Sequence, residues 1–340
     1  MSLRGKEIDF VIIWVDGNDP EWQKRKAEFT GDISVDDREE RYRDWGLLRF
    51  WFRGVENYAP WVNRIWFVCD QEPPIWLDTD HPKLTVVRHE DYLPETYRPA
   101  FSSHPIELNL HRIQGLSEQF VYFNDDMFLT ASVKENYFFQ NGLPRDCALL
   151  NPVSTDKLAR NPDDRISPMT LMNAEYLNRD FAFYPSLKKN FFKWFHPAYG
   201  KGLLKNAVCS LWPKFVGFDE PHLPQAFLKS SFEEAWEHDY DILDQTCRHH
   251  LRHVMDINQW FIRERQLAEG KFHVRMMPKD AIFSIQEDSP LMHQTIRSHR
   301  VPMICLHDIG SMDSETFQEL KTGLQNDFLS VLPGRSSYER

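Results

Sequence analysis

The sequence predicts an α/β fold with a mostly parallel sheet in the first half of the chain and a helical insertion in the second. Three observations support this prediction. Short apolar runs alternate with helical patterns over residues 1–150, which is typical of βαβ units. Helical patterns dominate residues 151–270, and short strand patterns return with a last helix in residues 271–340. The 340 residues contain no clear linker, so we expect a single domain.

The elements of the first half follow from local patterns. The run IDFVIIWV at residues 8–15 is apolar, and it stops at an Asp-Gly-Asn-Asp-Pro turn signal. The run QFVYF at residues 119–123 stops in the same way, at Asn-Asp-Asp. Further strands are predicted at residues 64–70 and 83–89, helices at 21–29, 44–58 and 105–116, and a polar loop at 30–42.

The second half has mostly helical spacing. Helices are predicted at residues 171–183, 202–211, 225–238, 240–250, 256–268 and 314–329, with strands at 272–275, 281–285 and 303–306. Because no clear linker separates this half from the first, we expect the helices to be an insertion that packs on the sheet of the first half.

Composition excludes several classes of protein. The 40 basic and 51 acidic residues give a net charge of −11, which lacks the positive field of a general nucleic-acid binder. No apolar run reaches the roughly 18 residues of a membrane span, and no secretory signal is visible. The five cysteines are scattered without a CxxC spacing, which predicts neither a zinc site nor a disulfide framework. We therefore expect a cytoplasmic protein.

Two acidic clusters follow predicted strands. Asp16 and Asp19 follow the first strand, and Asp125 and Asp126 follow the strand at residues 119–123. Ligands of open α/β sheets bind at the carboxyl ends of strands, and paired carboxylates there can hold Mg²⁺. Turn-forming or capping roles explain the first cluster equally well. Apolar neighbours on both sides of the second cluster favour function, because two buried acids need a cation or donors.

Other polar residues have a structural alternative. Glu107 and His111 are four apart in a predicted helix, which permits a functional pair or a surface ion pair. His222 lies between two prolines, although a lone histidine is usually structural. Arg252 belongs to a basic cluster at residues 247–256, which suits a phosphate or a solvated helix face.

Two stretches, residues 188–195 and 201–215, mix lysines with aromatic and aliphatic side chains. They could lie on a membrane surface or line a glycan groove, and core helices with lysines at their edge explain them equally well. Walker A, Gly-x-Gly-x-x-Gly, Gly-x-Ser-x-Gly and His-Glu-x-x-His patterns do not occur, so P-loop, dinucleotide-binding, hydrolase and zincin readings lack support.

Four blocks in order resemble the Stealth family of sugar-phosphate transferases. They are IDFVIIWVDGNDPEW at residues 8–22, a long block from about residue 41 to 129 with FSSHPIE and FVYFNDDMF, a third with HLPQAFLKSSFEEAW and RHVMDINQWF, and ICLHDIG followed by VLPGRSSYE. The family includes bacterial capsular and exopolysaccharide phosphotransferases and the catalytic part of the animal N-acetylglucosamine-1-phosphotransferase. One departure is His307, where related sequences often have Asn.

The resemblance implies a single Stealth-type catalytic domain over residues 1–340 with a GT-A-like, Rossmann-like fold. It implies transfer of a sugar-1-phosphate from a nucleotide-diphosphate sugar to a hydroxyl of an oligo- or polysaccharide acceptor, with release of a nucleoside monophosphate. A divalent metal, Mg²⁺ or Mn²⁺, is the expected cofactor. Peripheral contact with the inner membrane is expected from the stretches at residues 188–195 and 201–215 rather than from the resemblance. The alternatives are a GT-A-type glycosyltransferase that transfers the sugar alone and a non-catalytic carbohydrate-binding protein.

The same resemblance assigns residues to roles. Nucleotide-sugar binding is expected of Trp14, Asp16, Gly17, Asp19, Arg43, Asp44, His111 and Asp256; metal binding of Asp125, Asp126 and Asp308; and catalysis of His222, Arg252, Glu107 and Asp126. The guanidinium of Arg252 suits two phosphate oxygens. His222 suits a general base or a phospho-acceptor nucleophile, and the two roles stay open.

Overall fold

The computed structural model describes residues 7–29, 43–154, 166–276, 278, 281–285, 289–308, 310 and 312–340. The loop predicted at residues 30–42 lies outside them. The strands are β1 (Ile8–Ile13), β2 (Ile65–Val68), β3 (Leu84–Val87), β4 (Gln119–Phe123), β5 (Met127–Leu129), β6 (Phe139–Gln140), β7 (Leu143–Asp146), β8 (Gln225–Leu228), β9 (His273–Val274), β10 (Ile282–Ser284) and β11 (Met303–His307).

The helices are α1 (Pro20–Ala27), α2 (Leu48–Tyr58), α3 (His89–Tyr92), α4 (Ser103–Leu108), α5 (Glu135–Phe138), α6 (Ile166–Asp180), α7 (Phe183–Trp194), α8 (Gly202–Cys209), α9 (Lys229–His238), α10 (Tyr240–Cys247), α11 (Gln259–Glu269), α12 (Pro290–Ser298) and α13 (Ser314–Val331). Short 3₁₀ turns lie at Glu95–Tyr97, Leu110–Arg112 and Pro197–Tyr199. Among the described helices, none combines the length and the apolar composition that crossing a bilayer requires.

The central sheet has the strand order β3-β2-β1-β4-β8. β1 to β4 are mutually parallel, and β8 is antiparallel to β4. Both faces of β1 are covered, since Phe10 joins one buried cluster and Val11 joins another. Cover on both faces explains why these strands are continuous apolar runs rather than alternating ones. The prediction of an α/β fold with a mostly parallel sheet is confirmed.

The strand order reverses beside β1, because β2 and β3 extend to one side and β4 to the other. Such a reversal leaves a crevice at the carboxyl ends of the two strands where the direction changes. β1 and β4 end there at Ile13 and Phe123. The two acidic clusters of the sequence therefore begin beside this crevice.

A second sheet begins immediately after the second acidic cluster. β5 follows β4 after three residues and pairs antiparallel with β11, which pairs parallel with β10. A third sheet contains β6, β7 and β9. The chain between β4 and β5 thus connects two sheets at the crevice.

Two predicted helices differ from the observed elements. Residues 225–228 of the helix predicted at 225–238 form β8, because this apolar segment pairs with β4 at the edge of the central sheet. The helix predicted at 105–116 ends at Leu108. Asn109 follows with non-helical dihedral angles, and its amide donates to the carbonyl of Pro105, which satisfies a free acceptor of the last turn.

Candidate active site

A pocket of about 270 Å³ occupies the crevice at the strand reversal. Each of the four parallel strands contributes a residue that follows its carboxyl end: Trp14 after β1, Asp70 after β2, His89 after β3 and Asp125 after β4. Of the predicted site residues, Trp14, Arg43, Asp44, Glu107, Asp125, Asp126, His222, Arg252 and Asp308 line this pocket. The structure therefore brings residues from all four sequence blocks together.

His222 and Asp126 form the closest polar contact among the predicted catalytic residues. Nε2 of His222 lies 3.1 Å from Oδ2 of Asp126. Burial alone would lower the pKa of His222, but the charge and hydrogen bond of Asp126 outweigh it and raise that pKa above its usual value. The rings of His222 and His307 stack with centroids 5.4 Å apart. These contacts fix the plane of the His222 ring.

The carboxylate of Asp126 is only partly satisfied by protein groups. Oδ2 accepts from His222 and also from the thiol of Cys305, at 3.3 Å. Oδ1 is buried and has no hydrogen-bond partner among the described residues. Burial would raise the pKa of Asp126, but His222 outweighs this effect and lowers it. A buried, charged oxygen without a donor is a place where a cation would compensate the lost hydration.

Asp125 lies next to Asp126 and is open to the pocket. Desolvation and the adjacent charge of Asp126 both raise the pKa of Asp125. Two carboxylates side by side repel each other unless a proton or a cation separates their charges. The pair is therefore suited to a divalent ion.

A second group of side chains near Asp126 could also hold a metal ion, and its chemistry can be compared with that of the carboxylate pair. Asp126, His222 and Cys305 each offer one ligand atom within 4.8 Å of the others. Burial and the charge of Asp126 raise the pKa of the Cys305 thiol far above its usual value, so it remains a protonated donor. A hard ion such as Mg²⁺ prefers carboxylate oxygens to a thiol. Asp126, with Asp125 beside it, fits such an ion better than a site that depends on Cys305.

Asp308 and Arg43 form an ion pair at the pocket wall. Nη1 of Arg43 lies 3.2 and 3.1 Å from the two carboxylate oxygens of Asp308. The indole of Trp45 donates to Oδ2 of Asp308 at 3.0 Å. Asp308, a predicted metal ligand, thus holds a pocket arginine in the described structure.

Glu107 is buried beneath the pocket. It accepts a hydrogen bond from the hydroxyl of Tyr122 at 2.9 Å, and the oxygen of the same hydroxyl is in close contact with the side chain of Asn124. The backbone N–H of Gln259 lies 3.5 Å from the other carboxylate oxygen of Glu107. Glu107 therefore connects α4, β4 and the start of α11 behind the acidic loop.

Arg252 and His104 line the part of the pocket near α4. Nη2 of Arg252 donates to Oγ of Ser103 at 3.2 Å. His104 is 2% exposed, and its Nδ1 lies 3.1 Å from Oδ2 of Asp256. The other oxygen of Asp256 lies 2.6 Å from Nδ1 of His249. Asp256 is fully buried behind His104 and does not line the pocket.

The first acidic cluster also lies outside the pocket lining. Asp19 caps α1, accepting from the backbone of Glu21 at 2.9 Å, and Asp16 accepts from the backbone of Asn18 at 2.9 Å. The carbonyl of Gly17 accepts from the side chain of Gln23 at 2.7 Å. These bonds give the three predicted residues turn and cap geometry beside the pocket.

His111 does not line the pocket. Its ring stacks with Phe232 and lies near Trp236, with centroids 6.1 and 6.0 Å apart. Burial lowers the pKa of His111 to about 3. The helix ends between Glu107 and His111, so the expected shared face does not form.

Several pocket residues were not singled out from the sequence. His104 stands in the quoted SSHPIE segment, and Asn124 precedes the acidic pair. Trp260 lies in the helix predicted at residues 256–268, and two residues beside the pocket lining, Tyr122 and Cys305, lie in predicted strands. The one local signal for Tyr122 is its hydroxyl group, which lies within the otherwise apolar run at residues 120–123 and needs a hydrogen-bond partner when buried.

Comparison with known proteins adds to this geometry. Residues 6–34 match the profile described as Stealth protein CR1, conserved region 1, and residues 41–146 match Stealth protein CR2, conserved region 2. The chain is 39% identical over 338 residues to the capsular polysaccharide phosphotransferase WcwK of Streptococcus pneumoniae, covering 98% of each chain.

Two further relatives are similar over nearly their whole length. The receptor polysaccharide phosphotransferase WefC of Streptococcus oralis is 35% identical, covering 98% of this chain and 99% of the relative. The exopolysaccharide phosphotransferase cps2G of Lactiplantibacillus plantarum is also 35% identical, covering 98% and 96%. The similarity therefore extends over the segments that contain the acidic loop, His222, Arg252 and the last block, and is not confined to one motif.

Proposed function

This chain belongs to the Stealth family, and on that premise we propose that it is a polysaccharide phosphotransferase of capsule or exopolysaccharide synthesis. Its reaction moves a sugar-1-phosphate from a nucleotide-diphosphate sugar to a hydroxyl of a glycan acceptor. The observation that supports this most directly is the meeting of Asp126, His222 and Arg252, from three distant segments, in one pocket at the strand reversal.

The chemistry assigned to these residues is an in-line displacement at phosphorus. The acceptor oxygen forms a bond to the phosphorus that carries the sugar, and the bond from that phosphorus to the bridging oxygen breaks. A nucleoside monophosphate leaves with the electron pair, and the acceptor proton passes to His222. Arg252 supplies positive charge to the phosphoryl oxygens.

A divalent ion would neutralise the diphosphate when bound. Asp126 is the residue that would hold it, with Asp125 beside it, whereas Asp308, the third expected ligand, pairs with Arg43 in the described structure. Arg43 and Trp14 are the residues that we assign to the nucleotide end of the donor. Glu107 holds Tyr122 and the backbone near α11, which fits a positioning role.

We also propose a GT-A-like fold and a cytoplasmic location for this protein. The strand reversal of the central sheet supports a GT-A-like, Rossmann-like classification within a single catalytic domain. All five cysteines are buried and unpaired, which supports a reducing, cytoplasmic location.

The nucleotide product tests the proposed reaction. The protein would be incubated with a panel of nucleotide-diphosphate sugars, a glycan acceptor and Mg²⁺ or Mn²⁺, and the products read by mass spectrometry. Release of UMP, CMP or another monophosphate is expected. Release of the nucleoside diphosphate would instead show that the sugar alone is transferred.

Variants separate the residue roles. His222→Ala should lower turnover by roughly 10²–10⁴-fold if His222 is the base, and the exposed His238→Ala serves as control. A chiral thiophosphate donor distinguishes the two roles, since one displacement inverts phosphorus and a covalent phospho-histidine route retains it. Near-normal turnover of folded His222→Ala would overturn both roles.

A further inference from the structure

The outward faces of α7, α8 and the turn that follows them expose a large apolar surface. Seven of the fourteen exposed large apolar side chains among the described residues lie between positions 184 and 212. Phe192 is 85% exposed, Leu211 81% and Leu204 73%. We call the outer face the surface formed by Tyr184, Phe191, Phe192, Leu204, Val208, Leu211 and Trp212. A cluster of this kind on a protein surface is typical of an interaction site.

No other described part of the chain covers the side chains of this face. The inward side of the same segment already supplies a core, in which Phe183 and Trp194 pack with Phe215. Asn206 of α8 joins the two helices, since its buried amide donates to the carbonyl of Trp194 at 2.7 Å. The helices are therefore held from inside, and the apolar outer face is left for another partner.

The positive charge of this segment indicates that the partner is negatively charged. Residues 181–218 contain six lysines and neither Asp nor Glu, in a chain whose net charge is −11. Lys188, Lys189, Lys201 and Lys214 are exposed in the same segment as the apolar side chains of the outer face. Lys193 differs, because its ammonium group bonds inward to the carbonyl of Phe272 at 2.8 Å. A segment of this charge attracts a negatively charged surface at short range.

We propose that the outer face docks on an anionic lipid bilayer. Aromatic and aliphatic side chains enter the boundary between headgroups and acyl chains, while surrounding lysines contact lipid phosphates. A glycan would explain the aromatic rings, on which sugars stack, but not the exposed aliphatic side chains of Leu204, Val208 and Leu211. Hydrocarbon explains both kinds of side chain.

This surface is separate from the candidate active site, because none of its residues lines the pocket. Membrane docking can therefore be measured without turnover, and it neither requires nor excludes the proposed phosphotransfer. A failure of docking and a failure of the reaction are distinguishable for the same reason.

Vesicle flotation tests the proposal. Purified protein would be mixed with phosphatidylcholine vesicles with or without phosphatidylglycerol, at low salt and at about 1 M NaCl, where the Debye length falls to about 3 Å. We expect flotation with the anionic vesicles at low salt and its loss at high salt. The variant Lys188→Gln, Lys189→Gln, Lys201→Gln should bind about 100-fold more weakly, at about fivefold per lysine.

A second variant tests the apolar contribution. Phe192→Ser, Leu211→Ser, Trp212→Ser should abolish flotation and keep the melting temperature, because all three side chains are exposed. Ile75→Ser, at a 95% exposed residue outside the face, should float like the wild type. Absence of flotation by the wild type, or equal flotation by the apolar variant, would overturn the proposal. Self-association or glycan binding abolished by the same variant, without vesicle binding, would also overturn it.

Discussion

The carboxylate of Asp256 contacts the imidazole rings of both His104 and His249. Its oxygens lie 3.1 Å from Nδ1 of His104 and 2.6 Å from Nδ1 of His249. Burial would raise the pKa of Asp256, but the hydrogen bonds of both histidines outweigh it and lower that pKa. An ionised Asp256 keeps the proton of His104 on Nδ1, which leaves Nε2 for the pocket. Asp256 is thus a positioning residue for His104.

Replacing Asp256 tests this tautomer assignment. We expect Asp256→Asn to lower turnover by about tenfold or more, because the amide no longer selects the Nδ1–H form. The ring-nitrogen NMR shifts of His104 should change at the same time. Asp241→Asn, on an exposed part of α10, should leave both measurements unchanged, and unchanged shifts in Asp256→Asn would contradict the assignment.

The acidic residues of the pocket differ in their expected affinity for metal. Asp126→Asn should weaken Mn²⁺ binding, measured by calorimetry without substrate, by at least about tenfold. The reason is its buried, unpartnered Oδ1. Asp308→Asn should instead keep Mn²⁺ affinity and weaken donor binding, because Asp308 holds Arg43. Equal losses of Mn²⁺ affinity would make Asp308 a ligand as well.

At the level of elements, local patterns predict strands better than they predict helix ends. QFVYF is a short continuous apolar run between polar residues, and β4 has the predicted bounds. The segment QAFL at residues 225–228 was assigned to a helix because its pairing with β4 is a non-local contact. The sequence of α7 shows only a basic, aromatic stretch. Its inward face is defined by non-local contacts, of Phe183 with Phe215 and of Trp194 with Leu267.

The same reasoning applies to the candidate site. Spacing suggested Asp125, Asp126, His222 and Arg252 separately, but only the resemblance placed them in one site. Their meeting depends on the crossing of distant segments, which no single pattern contains. Glu107 and His111 do not share a helix face, because the helix ends at Leu108. The side-chain amide of Asn109 bonds there to the carbonyl of Pro105.

A buried ion pair contributes to holding the segment after α13 against α2. Arg53 of α2 donates to the two carboxylate oxygens of Glu339 at 2.7 and 2.8 Å and to the carbonyl of Leu332 at 2.9 Å. Burial would raise the pKa of Glu339, but the hydrogen bonds from Arg53 outweigh it and lower it. This element therefore depends on the ionised carboxylate.

Glu339→Gln should lower stability in a pH-dependent way. A lowered folded pKa means that the stabilisation is present above the unfolded value, about 4.5, and is lost as pH falls through the folded value. Thermal melts should thus separate wild type from Glu339→Gln near neutral pH and converge in acid. A constant difference in melting temperature across this range would contradict the role of the charge.

On the scale of the whole molecule, α11 connects the sheets. Arg263 is fully buried, and it donates to the two oxygens of Asp146 in β7 at 2.7 and 2.9 Å. Gln266, one turn further along α11, accepts from the backbone of Leu228 in β8 at 3.0 Å. The first turn of α11 also lines the pocket, through Gln259 and Trp260. Packing of this kind favours cooperative unfolding of both halves.

Arg263→Ala should destabilise the whole chain, by about 3–5 kcal/mol, because it leaves the buried carboxylate of Asp146 without its ion-pair partner. Urea unfolding followed by tryptophan fluorescence and by circular dichroism should show one transition for both probes, shifted to lower urea. Arg248→Ala removes an exposed pair with Asp244 and should cost less than about 1 kcal/mol. Two separate transitions in the wild type would contradict the single domain.

The short connection between β4 and β5 has a consequence for protein engineering. The backbone N–H of Met127 donates to Asn124, and that of Leu306 donates to Asp126, so the acidic loop is tied to both neighbouring sheets. A chimera that exchanges sequence on one side of this loop would mismatch its two anchors. Segments borrowed from relatives with other sugar preferences should therefore carry residues 119–129 and 303–308 together, as one graft.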